Sequence, residues 1–489
     1  MADEKRVDVL ALLERLGYKG LLSPSWYAQI DSWHDWYVGK TDFHKYSVYN
    51  GKQMVDCSRK TLGMPKKVCE DKADLQLNEK VEIVVSIPGQ ERDPKTVLPE
   101  QAFLDDVLDR NNFWVRGNQL IEKASALGTG AFVEYIANGE VGIDYIHADM
   151  IFPLSWENGN ITECAFVSIN NAGKDGQQVY INRHVVEDGR YVVYNDLFDS
   201  DGEAVELPEG TAPRWETGYQ SPLFQIVTPN IVNNVAKNNP MGVSVYANSL
   251  DALKSIDAIF DSYYNEFVLG RKRIFIDGSL VSVDIKDGGI KPTFDNRDVV
   301  FYGIPGLSGD DESGKKITES NMTLRVEEHQ QALQAHLDVL SENVGFGKGY
   351  YKFDADNVQT ATAVISQNSK LYRKIKKDEI ILEKALIDMV RAVLFLGNML
   401  PGWAGKLNTG ADISINFDDS IIEDTAEIQR KALLEYNAEL IDKVQYFMDT
   451  RNLEESAAIE FVAKMEARNP ELEPDLDLLP PLGGADDPA

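Results

Sequence analysis

A phosphate-binding loop needs glycines, a lysine and a hydroxyl in fixed order, and one stretch of this chain nearly supplies them. Gly309, four residues, Gly314 and Lys315 fit that spacing, but Lys316 stands where a Ser or Thr would hold magnesium. Asp310, Asp311 and Glu312 lie between the glycines, and their carboxylates would repel a triphosphate, so 309–316 reads as a solvated loop. The six histidines, His34, His44, His147, His184, His329 and His336, show neither an HExxH pattern nor another paired-ligand spacing. His329 and His336 are spaced to share a helix face, where a surface or interface role is expected. Asp354 and Asp356 lack the rest of a calcium loop, and Asp418, Asp419, Glu423 and Asp424 fit charge compensation at a helix N-terminus. No Ser-His-Asp or Cys-His arrangement can be placed. The expectation is a chain with no catalytic residue, no metal and no cofactor.

Charge and backbone freedom mark the remaining candidates. Arg271, Lys272 and Arg273 end a predicted helix, where they compensate its dipole. Lys370, Arg373, Lys374, Lys376 and Lys377 occupy two turns of another, and like charges on adjacent turns repel. Something acidic should face them: either Asp378, Glu379 and Glu383 of a neighbouring copy, the favoured reading, or nucleic-acid phosphates. The loop Gly345–Asn357 (GFGKGYYKFDADN) alternates Gly345, Gly347 and Gly349, which reach backbone conformations other residues avoid and predict a mobile segment. Lys348 and Lys352 are its only cations, flanking Tyr350 and Tyr351. The plain reading of this loop is a connector between helices.

The elements around that loop are strongly patterned. Leu250, Leu253, Ile256, Phe260, Tyr263 or Tyr264 and Phe267 recur at helical spacing and stop at Gly270. Val326, Leu333, Leu337 and Leu340 mark a second helix of similar length, ending at Gly345. A third, 360–396, carries Val364, Leu371, Ile375, Leu382, Leu386, Met389, Val393 and Leu396 without a proline. At about 1.5 Å per residue it spans roughly 55 Å, and a helix that long needs packing along its length, which neighbouring copies in a ring would provide. Upstream, 7–16, the stretch from Pro24 through Trp26, Ile30, Trp33 and Tyr37, the stretch from Pro65 to Leu75, and 99–127 read as helices. Strands are predicted at 81–87, 131–136, 141–146, 162–169, 178–186 and 190–194, with Asn138-Gly139 a strong hairpin signal. Between the first two central helices lies a β insert, with a strand pair expected around Gly278 and another strand at 299–301. A strand at 413–417 and helices through Ile428 to Ile441 and at 453–467 follow.

Composition narrows the class. The chain has 489 residues, 43% of them hydrophobic, and lacks an apolar run long enough to cross a membrane. Glu14 and Arg15 interrupt the first apolar stripe, which argues against a signal peptide and for a protein made in a cytosol. Cys57, Cys69 and Cys164 are scattered and read as small core residues. With 79 acidic against 49 basic residues the net charge is −30, which disfavours tight nucleic-acid binding and reads most plainly as solubility, although in a conduit an acidic wall would repel a duplex and let it slide.

Several runs together resemble one family, the portal proteins of tailed bacteriophages, in particular the siphovirus type. They are NPMGVSVY at 239–246, KSIDAIFDSYYNEFVLGRKRIFI at 254–276 and FDADNVQTATAVISQNS at 353–369, with weaker echoes in WYVGK at 36–40 and LGTGAFVEY at 127–135. The resemblance implies an α+β, elongated subunit assembling into a ring. Its parts would be an N-terminal wing at 1–242, a first stem helix at 243–270, a clip insert at 271–325 and a second stem helix at 326–344. A tunnel loop at 345–358, a long helix at 359–400, a crown at 401–468 and a disordered acidic tail at 469–489 would complete it. Gly345, Gly347, Lys348, Gly349, Tyr350, Tyr351 and Lys352 would then contact DNA in the channel, and Lys370, Arg373, Lys374 and Lys377 would line the channel or an interface.

The implied function is a structural one: a dodecameric channel at one capsid vertex that passes double-stranded DNA inward in packaging and outward at infection. Expected partners are further copies of the chain, DNA in transit, the terminase large subunit, a head-completion or adaptor protein, and the major capsid and scaffolding proteins, with no membrane involved. The protein would be assembled in the host bacterial cytoplasm and reside in the virion. The alternatives are another ring-forming virion protein, of tail or baseplate, or an enzyme using the 309–316 loop.

Overall fold

Turn chemistry decides much of the local structure. The computed structural model describes residues 9–49, 53–78, 80–88, 97–173, 176–270, 273–277, 283–286, 289–292, 301–304, 317–320, 322–353, 361–417, 425–438, 440–451, 458–459 and 461–462. Helices α1 (Val9–Arg15) and α2 (Pro24–Tyr37) are followed by a hairpin, β1 (Lys45–Tyr49) and β2 (Met54–Ser58), that the sequence pattern did not announce. Helix α3 (Met64–Gln76) and strand β3 (Glu82–Ser86) lie where expected. The helical pattern over 99–127 is two helices, α4 (Pro99–Arg110) and α5 (Phe113–Leu127), not one. The break is chemical: Asn112 adopts a left-handed conformation (φ 49°), and the Asn111 side chain donates to Val107 O and Val141 O and accepts from Ile143 N, diverting the backbone into a turn.

Two antiparallel sheets follow. Strands β4 (Gly130–Ala137) and β5 (Glu140–His147) form the expected hairpin, with Asn138 and Gly139 both at positive φ. Strands β6 (Ile151–Glu157), β7 (Asn160–Gly173), β8 (Gly176–Glu187), β9 (Arg190–Phe198) and β10 (Arg214–Glu216) form a meander in the order β10-β9-β8-β7-β6. Strand β11 (Phe224–Val227) returns to pair with β4. At the α5–β4 corner Gly128 (φ 90°) lies against Gly242, each so close that a Cβ would come within 2.4 Å and 2.2 Å of the other's carbonyl oxygen.

Helix α6 (Leu250–Leu269) leads into the β insert. Strand β12 (Arg273–Asp277) does not pair with β13 (Val283–Lys286) around Gly278, as expected; β13 pairs with β14 (Gly289–Pro292), while β12 lies parallel to β15 (Phe301–Ile304) and antiparallel to β16 (Ile317–Ser320). Asp287-Gly288 stands between β13 and β14, the dipeptide that a two-residue hairpin connection favours. Helix α7 (Val326–Val344) returns beside α6, where Arg325 forms a 2.8 Å ion pair with Glu266 and His329 stacks on Tyr263 and meets Ser262 Oγ at 3.2 Å.

The third central helix, α8 (Ala361–Gly397), supplies the middle of the largest core, and β17 (Asp412–Asn416) closes it by pairing with β3. Leu382, Leu386, Met389, Val390, Val393 and Leu396 pack there with Phe103, Leu104, Leu120, Phe132, Ile143 and Ile415. From Leu382 onward the support of α8 therefore comes from its own chain, not from neighbouring copies as expected. By contrast, Tyr264 and Phe267 at the far end of the α6 stripe are 48% and 46% exposed. Cys69 and Cys164 are buried as expected, whereas Cys57, on β2, is half-exposed. Residues 418–489 form a second compact unit, with α9 (Thr425–Asn437) and α10 (Lys443–Arg451) described in it; most of 453–467 and the whole of 469–489 lie outside the described residues. The fold is α+β.

One buried acid gives this core a pH dependence. Glu134, 1% exposed on β4, accepts from Gln225 Nε2 at 3.1 Å, while its Oε1 and Gln225 Oε1 have no protein partner. Burial pushes its carboxyl up to about 8, with Asp388 adding to the rise. The folded chain therefore holds a proton that the unfolded chain releases near about 4.3, so stability falls by about 1.4 kcal/mol per pH unit between those values. Glu134→Gln should abolish that slope and be the more stable protein by about 3–4 kcal/mol at pH 7. Urea unfolding of both proteins from pH 5 to 8 measures it; parallel curves would exclude a protonated Glu134.

Candidate functional site

Helix α7 ends in a left-handed glycine. Gly345 (φ 91°) donates to Glu342 O, and Phe346 N turns back to Ser341 O at 2.9 Å, which satisfies the last carbonyls of the helix. Gly347 and Gly349 are also at positive φ, 87° and 81°. Between them the chain folds onto itself: Phe346 stacks on Tyr350 with ring centroids 4.4 Å apart, and Tyr351 meets both rings edge-on. Gln334 of α7 holds the outgoing strand, donating to Tyr351 O and accepting from Phe353 N at 2.8 Å.

The mobile loop expected from the glycines is thus, over 345–353, a packed turn. Phe346 is 1% exposed, and the three glycines take the chain around it at positive φ. Residues 354–360, including Asp354 and Asp356, lie outside the described residues. Lys348 and Lys352 point outward; the Lys348 side chain is 78% exposed, with Asp338 Oδ2 at 3.9 Å. Burial and the nearby Asp71 and Asp74 push the Tyr350 hydroxyl up to about 12, so the surface between the two lysines remains neutral in its tyrosines.

Beneath the turn lies a charge cluster the sequence reading missed. Lys72 of α3, 1% exposed, forms a 2.8 Å ion pair with Asp378 of α8. Asp378 also receives Lys374 Nζ at 3.4 Å and Asn230 N at 3.1 Å. Burial alone would raise the Asp378 carboxyl, but Lys72, Lys374 and the Asn230 N–H together hold it below the usual range. Burial lowers Lys374, which shares this one carboxylate with a second ammonium. The turn rests directly on the cluster: Lys72 Nζ lies 5.4 Å from the Phe346 ring centre, and a Cβ at Gly345 would come within 2.7 Å of Lys374 Cγ.

This arrangement corrects the reading of the basic stretch. Asp378 and Glu379, expected to reach it from a neighbouring copy, serve lysines of their own helix, Lys374 and Lys376, the latter at 3.0 Å, because they are spaced four and three residues away. Arg373 and Lys377 face outward, and the Lys370 side chain lies outside the described residues, as does the 309–316 loop. Lys72 was legible in one respect: it falls on the stripe of Val68, Cys69, Ala73 and Gln76, where a charge requires a buried partner. Among the described residues no group of three or more His, Cys, Asp or Glu converges to hold a metal.

Comparison with known proteins identifies the family of the chain. No curated protein matches the chain significantly. Among solved structures, a chain in the neck of a native gene transfer agent (GTA) particle computed with C12 symmetry is 12% identical, covering 79% of this chain and 89% of that one, with a TM-score of 0.34. A chain in the virion of a native gene transfer agent particle is 13% identical over 90% of this chain and 97% of that one, with a TM-score of 0.37. The family model for phage portal proteins of the SPP1 Gp6-like type matches residues 24–446. Since that match runs from the second helix to the tenth, through the glycine turn and the helices framing it, the chain belongs to the SPP1 Gp6-like family of phage portal proteins.

Proposed function

We propose that this portal protein assembles into a dodecameric ring at one capsid vertex and passes double-stranded DNA through its axis, with the 345–358 loop facing the duplex. The observation that carries the DNA assignment is the packed turn that presents Lys348 and Lys352 outward from a buried aromatic base. Two cations on an otherwise acidic chain of net charge −30 give local, salt-sensitive contacts without a grip that would stall a moving duplex. In this reading 1–242 is the wing, 243–270 and 326–344 the stem helices, 271–325 the clip, 359–400 the long helix, 401–468 the crown, and 469–489 the acidic tail. Arg373 and Lys377, with Lys370, line the channel or a subunit boundary. The clip is the docking face for the terminase large subunit and a head-completion protein, and the ring's outer rim meets major capsid and scaffolding proteins. The subunit is structural, the motor's energy coming from a separate ATPase.

Lys348→Ala with Lys352→Ala tests this directly. Both side chains are exposed and outside the aromatic packing, so ring mass and melting temperature should be unchanged while packaged DNA, or its retention, falls severalfold. Rings of wild-type mass that fill capsids normally would make the loop a passive connector.

A further inference from the structure

The β1–β2 hairpin is bare where a hairpin is usually covered. Side chains alternate faces along a strand, so the opposed pair Val48 and Val55 occupies one face and the opposed pair Tyr49 and Met54 the other. These four residues are 47%, 37%, 63% and 61% exposed. Among the described residues both strands are also free edges, since the sheet has only these two. A lone two-stranded hairpin is marginal in water, and apolar residues on both its faces add to the cost.

Its root is fixed with unusual care. Asp257 of α6, 2% exposed, accepts from Leu62 N at 2.9 Å and Thr61 Oγ1 at 3.2 Å, and its other oxygen meets His44 Nε2 at 2.8 Å. Asp261, one turn on, accepts from Lys60 N at 3.0 Å. The Arg59 guanidinium covers the rings of Phe43 and Tyr46 at 4.6 Å and 4.5 Å and donates to Phe43 O. A segment aimed this firmly and left uncovered at its end has the form of an arm.

We propose that the tip of this arm, Val48, Tyr49, Met54 and Val55, docks on the adjacent copy of the chain, an inference that rests on the ring reading above. The tip pairs are uncharged, so a duplex would gain nothing from them. A second copy fits because a ring built from one repeated contact gives every subunit one arm and one receiving surface, so each tip is covered once. A vertex partner present in another number would leave some tips bare.

The test uses the purified full-length chain. A photo-crosslinking residue in place of Tyr49 should give a ladder of covalent multimers on irradiation of rings. The double substitution Tyr49→Ser, Met54→Ser should raise the concentration needed for ring formation by about tenfold or more in native mass spectrometry, while the monomer's melting temperature holds. Wild-type rings with variant rings forming at the same concentration, or crosslinks only within one chain, would overturn the arm and leave the ring reading standing. A wild-type chain that stays monomeric at every concentration would overturn both.

Discussion

Lys72→Met should lower the stability of the subunit by about 3–5 kcal/mol, the cost of stripping a buried carboxylate of its closest ammonium. Asp378, 3% exposed in its side chain, would keep Lys374 at 3.4 Å but lose the 2.8 Å pair. The turn above would lose the ammonium that lies over Phe346, so the change should also be felt at Lys348 and Lys352, which neither α3 nor α8 carries. The pH dependence has a definite sign. Because the Asp378 carboxyl is held below its ordinary range, its contribution is present above about pH 4 and lost as pH falls through the lowered value. Lys72→Met should flatten that acid limb. Denaturant unfolding between pH 3 and 7 reads both effects, and Lys72→Met with Asp378→Leu should recover much of the loss. A variant that unfolds like the wild type at every pH would mean that the cluster is not closed in solution.

Leu386→Asp should abolish the fold itself, not merely assembly. The residue is 0% exposed within a core built by its own chain, so the substitution buries an unpaired charge at a cost of several kcal/mol. Leu386→Ala gives the graded version, with an expected loss of about 2–5 kcal/mol by urea unfolding. If Leu386→Asp instead yields a soluble, cooperatively folded monomer that fails only to form rings, then the packing of α8 is intersubunit after all.

Legibility in the sequence followed the range of the interactions. The helices α6, α7 and α8 and the hairpins closed by Asn138-Gly139 and Asp188-Gly189 announce themselves because periodicity and turn residues are local signals. The split at Asn111-Asn112 was not legible, since its cause is a side chain reaching a strand some thirty residues on, at Val141 and Ile143. Pairing within the insert failed for a similar reason: β12 finds β15 and β16 across intervening chain, which no local pattern encodes. At the site, the glycines and lysines of 345–352 were visible, but their packing was not, because Phe346 lies over Lys72, a residue distant in sequence whose own partner is Asp378. The carboxylate partners of Lys374 and Lys376 were named correctly as residues and placed wrongly in a neighbouring copy.

The back-to-back contact of Gly128 and Gly242 sets a limit on how this chain can diverge. Each glycine's missing Cβ would strike the other's carbonyl oxygen, and a carbonyl cannot be trimmed by mutation. A second substitution therefore cannot rescue the first, as it can between two side chains. Gly128 carries a further constraint, since its φ of 90° is costly for any other residue. Gly242 stands eight residues before Leu250, where α6 begins, and Val245 N binds Ser125 O at 2.9 Å in the same crossing. Contacts between two side chains can thus be remodelled by paired changes while this crossing, which sets where α6 departs, remains closed to them.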